Sequence, residues 1–431
     1  MFGVRPSLRP LTVPGFRRLA ASYAINDIGD MVASVALAIL VFDETGDPLA
    51  TTALFVATRF VPAFLAPVLT ARMDQLAVGP TLSVIYAFEA VLFLGLAFLT
   101  ENFSLTLILA VALVDGVLSI VGRALTRASV AVMLEPIGLL REGNALFNLV
   151  FAGSTAAGPA LAGLLIAWQG VAAALVLDAA SFAVIAVLLA FAKGLSAQRA
   201  DAGTWAARFK AGFAWVRNRP YVRRLLLGQA AAFVFFACVV PIEVIYAKET
   251  LDAGNAGFGA LLSAWGIGIV VGSLVFASAR RLPPLVLIGG STLAIGAAYG
   301  GQALAPTLLV ACAFGVIGGV GNGIQSVAVQ TAIQLRTPDE LQARVSGLFE
   351  SIASATPGLG FLLGGLLTAL FEPRAAFGVA ALGVVLVVII GGIAFARDPD
   401  PLITDRPSEP ELPEERVPLS ATGTRDHSPP R

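Results

Sequence analysis

Long apolar runs alternate with short polar segments along almost the whole chain. A helix needs roughly 20 apolar residues to cross a bilayer core of about 30 Å, and twelve runs have about that length. Because these runs are continuous, they predict helices and not the short alternating strands of a barrel. The predicted spans are 19–42, 50–70, 81–99, 104–125, 145–167, 171–192, 223–246, 257–279, 284–304, 307–332, 344–370 and 375–396.

A pattern in the first half of the chain recurs 202 positions later. Its first copy comprises Pro136, Leu139, Leu146, Phe147, Gly158 and Gly163, and its second Pro338, Leu341, Leu348, Phe349, Gly360 and Gly365. A duplicated membrane-spanning unit is typical of secondary transporters. We therefore expect an all-α membrane protein whose twelve helices form two six-helix halves, 19–192 and 223–396.

Composition and charge support a membrane location. Hydrophobic residues make up 57% of the chain and charged residues 13%, whereas soluble domains are about one-quarter charged. With the N-terminus inside, nearly all Lys and Arg fall on the cytoplasmic side, and the other side receives Lys248 and Arg374. The pattern predicts a multi-pass plasma-membrane protein with both termini cytoplasmic, and the net charge of zero gives no indication of nucleic acid.

The remaining segments are predicted to lie at the cytoplasmic surface: a leading segment 1–18, a central loop 193–222 and a tail 397–431. Within the loop, Trp205, Phe209, Phe213 and Val216 share one helical face, which predicts an amphipathic helix on the membrane surface or, alternatively, a solvated linker. The tail is rich in proline and acidic residues and predicts disorder.

Ionisable side chains inside the predicted spans are the candidate functional groups. Each costs at least about 2.5 to 3.5 kcal/mol at mid-membrane unless it faces a partner or water. One basic residue, Arg59, falls well inside a span, and the acidic ones include Asp27, Asp30, Glu89, Asp115, Asp178 and Glu243.

Asp30 lies near the middle of the first span, with Asn26 one turn away on the same face. It is either a proton carrier or one partner of a permanent ion pair with Arg59. Asp27 could take either role, and Asp115 in the fourth span competes for Arg59. Glu243 follows Pro241, which is expected to break the seventh helix, and it is either a cavity acid or a water-exposed rim acid.

Several other functions are disfavoured. The only histidine, His427, lies in the tail, so neither a histidine-based triad nor a zinc cluster is expected within the fold. The glycine-rich stretches are not followed by the Lys-Ser/Thr of a phosphate loop. We expect neither an enzyme nor a resident cofactor or metal, and an ion or substrate gradient as the energy source.

Specific motifs resemble a known family. Two six-helix halves joined by a basic cytoplasmic loop resemble the major facilitator superfamily. Within it, the chain is similar to the branch that contains macrolide efflux pumps and the enterobactin exporter, on the segments Phe16-Arg-Arg-Leu, Asn26-Asp-Ile-Gly-Asp30, Thr45-Gly-Asp-Pro48, Arg123-Ala-Leu-Thr-Arg127, Leu140-Arg-Glu-Gly-Asn-Ala-Leu146, Gly158-Pro-Ala-Leu-Ala-Gly163 and Val176-Leu-Asp-Ala-Ala-Ser-Phe182.

The resemblance implies that helices one, four, seven and ten line a central cavity. These helices carry Asn26, Asp27 and Asp30, then Asp115, then Glu243, then Asn322 and Gln325. The two amides could bind cargo or form interhelical hydrogen bonds. Glu89 and Asp178 fall on outer helices, where a packing role is expected.

The resemblance also implies a conformational latch at the cytoplasmic ends of the halves. The loop after the second span keeps only the aspartate of the superfamily pattern, Asp74, and lacks the basic residues that usually follow it. Its expected partners are Arg123, Arg127 and Arg344, and Arg72 is the residue that could replace the missing bases.

Together these features predict a monomeric, proton-coupled exporter of a small, moderately hydrophobic drug or natural product, working by alternating access. The few cavity cations favour a neutral or cationic cargo. A siderophore exporter of the same fold and a membrane receptor or scaffold that does not transport remain the alternatives.

Overall fold

A computed structural model of the 431-residue chain describes residues 8–73, 78–191, 213–278 and 282–397. The leading residues 1–7, most of the predicted surface helix 204–219, Asp74 and the tail from 398 lie outside the described residues. Within the described part, helices account for nearly every residue and no strand occurs. The all-α prediction is therefore confirmed.

Six helices form the first half. Four are Pro14–Thr45 (α1), Pro48–Phe55 with Val56–Phe60 and Val61–Met73 (together α2), Val78–Phe98 (α3) and Leu105–Leu134 (α4). The next helical stretch, Leu140–Ala190, is 51 residues long, and a straight helix of that length would span about 75 Å, more than twice the bilayer core. It bends at Gly170, whose φ of 82° favours glycine, and so forms two membrane helices, 140–169 (α5) and 171–190 (α6).

Six further helices form the second half. They are Pro220–Cys238 continued by Val240–Ile242, Glu243–Ile245 and Tyr246–Thr250 (together α7), Gly254–Ser278 (α8), Pro284–Leu304 (α9), Leu308–Gln334 (α10), Asp339–Leu370 (α11) and Pro373–Arg397 (α12). Eleven stretches are long and apolar enough to span a membrane, and one of them is the double helix α5–α6. The prediction of twelve spanning helices is confirmed.

Local sequence sets several helix ends and breaks. Gly46 adopts a left-handed conformation at the end of α1, and the carboxylate of Asp47 accepts from the backbone N–H of Leu49 to cap α2. Pro241 interrupts α7, where the helix ends at Cys238 and continues as a 3-10 turn. The predicted break in the seventh helix is confirmed.

The repeated residues make equivalent contacts in the two halves. Phe147 of α5 stacks on Tyr23 of α1, with ring centroids 4.3 Å apart, and Phe349 of α11 packs on Phe233 of α7 at 6.3 Å. Likewise, Gly158 lets α5 approach α1, and Gly360 lets α11 approach α7. The duplication therefore preserves the contact between the first and fifth helix of each half.

The other repeated glycines join the two halves. Gly163 of α5 packs against the backbone of α8 at Asn255, and Gly365 of α11 packs against Thr52 of α2. Small residues at these positions let the helices approach closely, as in other membrane bundles. The halves are thus held together by two symmetry-related glycine contacts, α5–α8 and α2–α11.

We name the two ends of the bundle by their charges. The basic end includes Arg17, Arg18, Arg127, Arg141, Arg336, Arg344 and Arg397, and the acidic end includes Asp43, Glu44, Asp47, Glu101, Glu249, Asp252 and Glu372. Lys248 of α7 pairs with Asp43 of α1 across the halves at the acidic end.

The described contacts between the halves extend from the acidic end to about mid-depth, where Gly266 of α8 meets Thr155 of α5 and Gly358 of α11 meets Phe60 of α2. Toward the basic end, the hydrophobic core separates. One buried cluster there, including Leu225, Ile333 and Val345, belongs to the second half alone. Over the described residues, the bundle is therefore closed at its acidic end, and the two halves part toward its basic end.

We predict that Gly163→Val separates α5 from α8 and lowers the thermal stability of the purified protein. A side chain there would meet the backbone of Asn255 and Gly259, and relieving such overpacking costs about 1 to 3 kcal/mol. Gly153→Val, on the same helix with open space at its Cβ position, is the matched control. Equal melting temperatures for the two variants would contradict the packing role of Gly163.

Candidate transport site

Asp30 of α1 forms an ion pair at the centre of the first half. Its Oδ2 atom lies 3.4 Å from Nη1 of Arg123 on α4, and it accepts a hydrogen bond of 3.1 Å from Nδ2 of Asn26. The same Nη1 donates to Oγ of Ser119 at 2.5 Å. Asp30 is therefore paired with Arg123, and the ion pair with Arg59 offered by the sequence is not formed.

Arg123 was expected in the latch at the helix ends; it lies about three turns before the end of α4 at Leu134 and faces Asp30 of α1. Its side chain is 42% exposed and that of Asp30 is 23% exposed, so protein atoms leave the pair partly uncovered. A signal in the sequence could have placed it: Asp115, Ser119 and Arg123 are spaced four residues apart and share one face of α4.

Arg59 lies on the π-helical turn Val56–Phe60 of α2, and π-helical turns occur frequently at functional sites. Its side chain is exposed, and its guanidinium is 5.8 Å from the ring centroid of Phe55. It is within electrostatic reach of Asp30, Arg123 and Glu243. Because these three belong to both halves, Arg59 faces the space between them.

Glu243 follows the Pro241 break in α7 and is half-buried. It is within electrostatic reach of Arg59, but the two do not form an ion pair within the described residues. The assignment of Glu243 as a cavity acid stays a prediction.

Two acids that the sequence assigned to packing lie behind Asp30. Glu89 of α3 and Asp178 of α6 are each 1% exposed. Neither carboxylate oxygen of Glu89 has a hydrogen-bond partner in the described structure, and Asp178 receives one bond, from Ser181, at 3.0 Å. Both are within electrostatic reach of Asp30 and of Asp115, which is half-buried on α4. The sequence alone gave no sign of this convergence, because it depends on how α3 and α6 are rotated.

The remaining candidates occupy different places. Asp27 is 8% exposed and lies beside Ser154 of α5. Gln325 of α10 is buried and its amide donates to Thr292 of α9 at 3.1 Å, which is the interhelical alternative. Asn322 is half-buried.

The latch residues are only partly described. Arg127 and Arg344 are exposed near the basic end, whereas Asp74 and the side chain of Arg72 lie outside the described residues. The latch thus stays a prediction. Over the described ranges, no group of three His, Cys, Asp or Glu side chains is arranged to hold a metal ion.

A family comparison identifies the fold and its general role. The transmembrane secretion effector family, a branch of the major facilitator superfamily, matches residues 5–418. The chain belongs to this family. It is therefore a multi-pass membrane transporter, and the resemblance to the major facilitator superfamily is confirmed.

Curated relatives are distant. The transporter is 25% identical over 307 residues to the enterobactin exporter EntS of Citrobacter koseri, covering 69% of this chain and 73% of the relative. It is 28% identical over 244 residues to the uncharacterised major facilitator transporter y4rN of Sinorhizobium fredii, covering 54% of this chain and 58% of that one. The chain thus matches less than two thirds of the latter's length.

Solved structures share the fold. The nucleoside transporter NupG superposes with a TM-score of 0.70 at 13% identity, covering 88% of this transporter and 99% of NupG. A bacterial homologue of the human lysosomal transporter Spinster, in an inward-facing and occupied conformation, superposes with a TM-score of 0.64 at 15% identity, covering 90% of this chain and 96% of that one. At these identities the likeness establishes the fold alone.

We predict that Glu89→Met raises the stability of the purified transporter by about 1 to 3 kcal/mol, because it removes a buried carboxyl without a hydrogen-bond partner and keeps the volume. Thermal unfolding in detergent measures the change. Glu101→Met, at an exposed acid, should stay within about 0.5 kcal/mol of the wild type. A loss of stability in Glu89→Met would mean that the carboxyl has a structural partner.

Proposed function

We propose that the transporter is a proton-coupled exporter of a small, moderately hydrophobic compound. The observation that carries this proposal is the Asp30–Arg123 pair, an acid and a base that lie at mid-depth in the first half and are both partly exposed. An ionised acid and base are costly inside a membrane, and a purely structural ion pair would be more stable if it were fully buried by other side chains. A scaffold without transport would gain nothing from a partly exposed pair.

Protons provide the simplest coupling. Protonation of Asp30 would remove its charge and weaken the pair with Arg123, whereas a bound cargo would compete for the same space. The proton and the cargo then favour different arrangements of the two halves. The coupling between them depends on how differently each of the two ligands binds to the two arrangements. The distant similarity to the enterobactin exporter EntS supports the outward direction.

The proposal includes an orientation. With the basic end in the cytoplasm, following the distribution of Lys and Arg, the open cavity faces the cell interior, where an exporter collects its cargo. The transporter would then lie in the cytoplasmic membrane with both termini inside and act as a monomer.

A second candidate is an exporter of an anionic, siderophore-like compound. The sequence argued against anionic cargo because it showed few cavity cations, but Arg59 is exposed to the cavity and donates no hydrogen bond within the described residues. Two accessible guanidinium groups, Arg59 and Arg123, could bind an anion. Loss of export of an anionic compound in Arg59→Gln, with cation export intact, would favour this candidate.

We predict that Asp30→Asn and Asp115→Asn abolish transport driven by a pH gradient, because an amide cannot exchange a proton. Reconstituted liposomes with an imposed pH gradient and ethidium as the probe measure uptake, with Glu101→Gln as the control at an exposed acid. If both variants keep proton-dependent transport, the coupling assignment is wrong.

The Lys248–Asp43 pair gives an independent prediction about the acidic end. Asp43→Asn should shift the equilibrium toward opening there, by the roughly 0.2 to 1 kcal/mol that an exposed ion pair contributes. A cysteine placed at Val240, which lies in the broken part of α7 and is half-buried, reports opening through its labelling rate. The exchange Asp43→Lys with Lys248→Asp should restore the slow rate, and a rate unchanged by Asp43→Asn would remove the pair from the gate.

A further inference from the structure

Acids outnumber bases around Arg123 in the first half. The second arginine nearby, Arg59, is within electrostatic reach of Asp30 but not, among the described residues, of Glu89 or Asp115. Arg123 is within electrostatic reach of Asp27, Asp30, Glu89 and Asp115, and forms an ion pair only with Asp30. One guanidinium can compensate one carboxylate, so the remaining acids need a different source of compensation. A buried carboxyl without a counter-ion loses its charge by binding a proton.

Glu89 is the acid most completely cut off from water. It is 1% exposed and both its oxygens lack hydrogen-bond partners among the described residues. The groups that face it are Asp115 and Arg123 from α4, Asp30 from α1, Asp178 from α6 and Tyr86 on its own helix. Three of these are acids, so an ionised Glu89 would be buried among like charges.

The position of Arg123 connects Glu89 to the cavity. Asp30, on the cavity side of the arginine, is 23% exposed, whereas Glu89 lies on the buried side. Arg123 can pair with Asp30, as here, or turn toward Asp115 and Glu89 when these lose their protons. Its hydrogen bond to Ser119, one turn away on α4, belongs to the first arrangement.

We propose that Glu89, together with Asp115, forms a second proton-binding site outside the cavity, which controls access of cargo to Asp30 through the position of Arg123. The inference rests on the proposed proton-coupled function and extends it. With protons on Glu89 and Asp115, Arg123 stays on Asp30 and a cationic cargo is excluded. When one of these protons is lost, Arg123 moves to the vacated carboxylate and Asp30 becomes free to bind a cationic cargo.

This arrangement lets protons and cargo compete without sharing a residue. It balances charge in each state, because Arg123 faces one carboxylate group at a time and a proton or cargo compensates the other. Cargo binding is then expected to tighten as pH rises, since protons and cargo oppose each other.

The first test needs no cargo. Infrared difference spectroscopy of the purified full-length protein at neutral pH compares the wild type with Glu89→Gln in the band of protonated carboxyl groups. We expect the variant to lose part of that band, while Glu101→Gln leaves it unchanged. An unaltered band in Glu89→Gln overturns the proposal, because Glu89 would then be ionised.

The second test measures coupling through Arg123. Glu89→Gln mimics the protonated acid, so ethidium should bind about tenfold or more weakly than to the wild type at high pH, with a smaller pH dependence. In the Arg123→Gln background the same substitution should have no further effect, as a double-mutant cycle reveals. Additive effects of the two substitutions would overturn the connection through Arg123.

Transport separates this inference from the proposed function. If pH-driven ethidium transport is lost in Asp30→Asn but retained with unchanged pH dependence in Glu89→Gln, the second site is wrong and the proton-coupled exporter stands. If it is lost in both and retained in Glu101→Gln, both proposals are supported. Proton-dependent transport that persists in both variants overturns them together.

Discussion

A charged side chain halfway across a bilayer costs several kcal/mol unless it meets an opposite charge or water, and this cost orders the first half of the transporter. Asp30 meets Arg123 on one side and Asn26 on the other, and protein atoms leave the pair partly uncovered. Arg59 faces the space between the halves. Glu89 and Asp178 lack these partners and are buried on the other side of α1. The ionisable groups therefore form two layers, and Arg123 lies between them.

The second half has the same frame without these charges. Phe349, Gly360 and Gly365 repeat the contacts of Phe147, Gly158 and Gly163, but the positions equivalent to Asp30 and Asp115 are Ala232 and Ile317. The packing residues occur in both copies because helices can approach closely only where the side chains are small. Charged residues are needed only in the copy that binds a ligand. A duplicated frame with an unduplicated ionic centre is the expected outcome.

Much of the fold could be predicted from the sequence because the length of an apolar run is read directly against the bilayer thickness. The break at Pro241 followed from its missing N–H group in the same way. The ionic partners did not follow, since they depend on the rotation of each helix about its own axis. Arg59 lies at the depth of Asp30, but its side chain points to the space between the halves. Arg123 pairs with Asp30, although the sequence predicts a place for Arg123 at the cytoplasmic end of its helix. Gln325 is turned toward α9 by the same kind of rotation.

The closed acidic end is held by contacts that can be released. Glycine contacts between α5 and α8 bury backbone against backbone, whereas those between α2 and α11 place Gly358 and Gly365 against the side chains of Phe60 and Thr52. The Lys248–Asp43 pair adds a small, partly exposed electrostatic term. Two states that differ by only a few kcal/mol can be exchanged by the binding of a proton or a small molecule. Aromatic contacts such as Tyr23 with Phe147 and Phe233 with Phe349 hold the first and fifth helix of each half together, whereas a single tilted pair, Phe55 with Phe361, joins the halves among the described aromatic contacts. The contacts within each half therefore favour a motion in which each half moves as a unit.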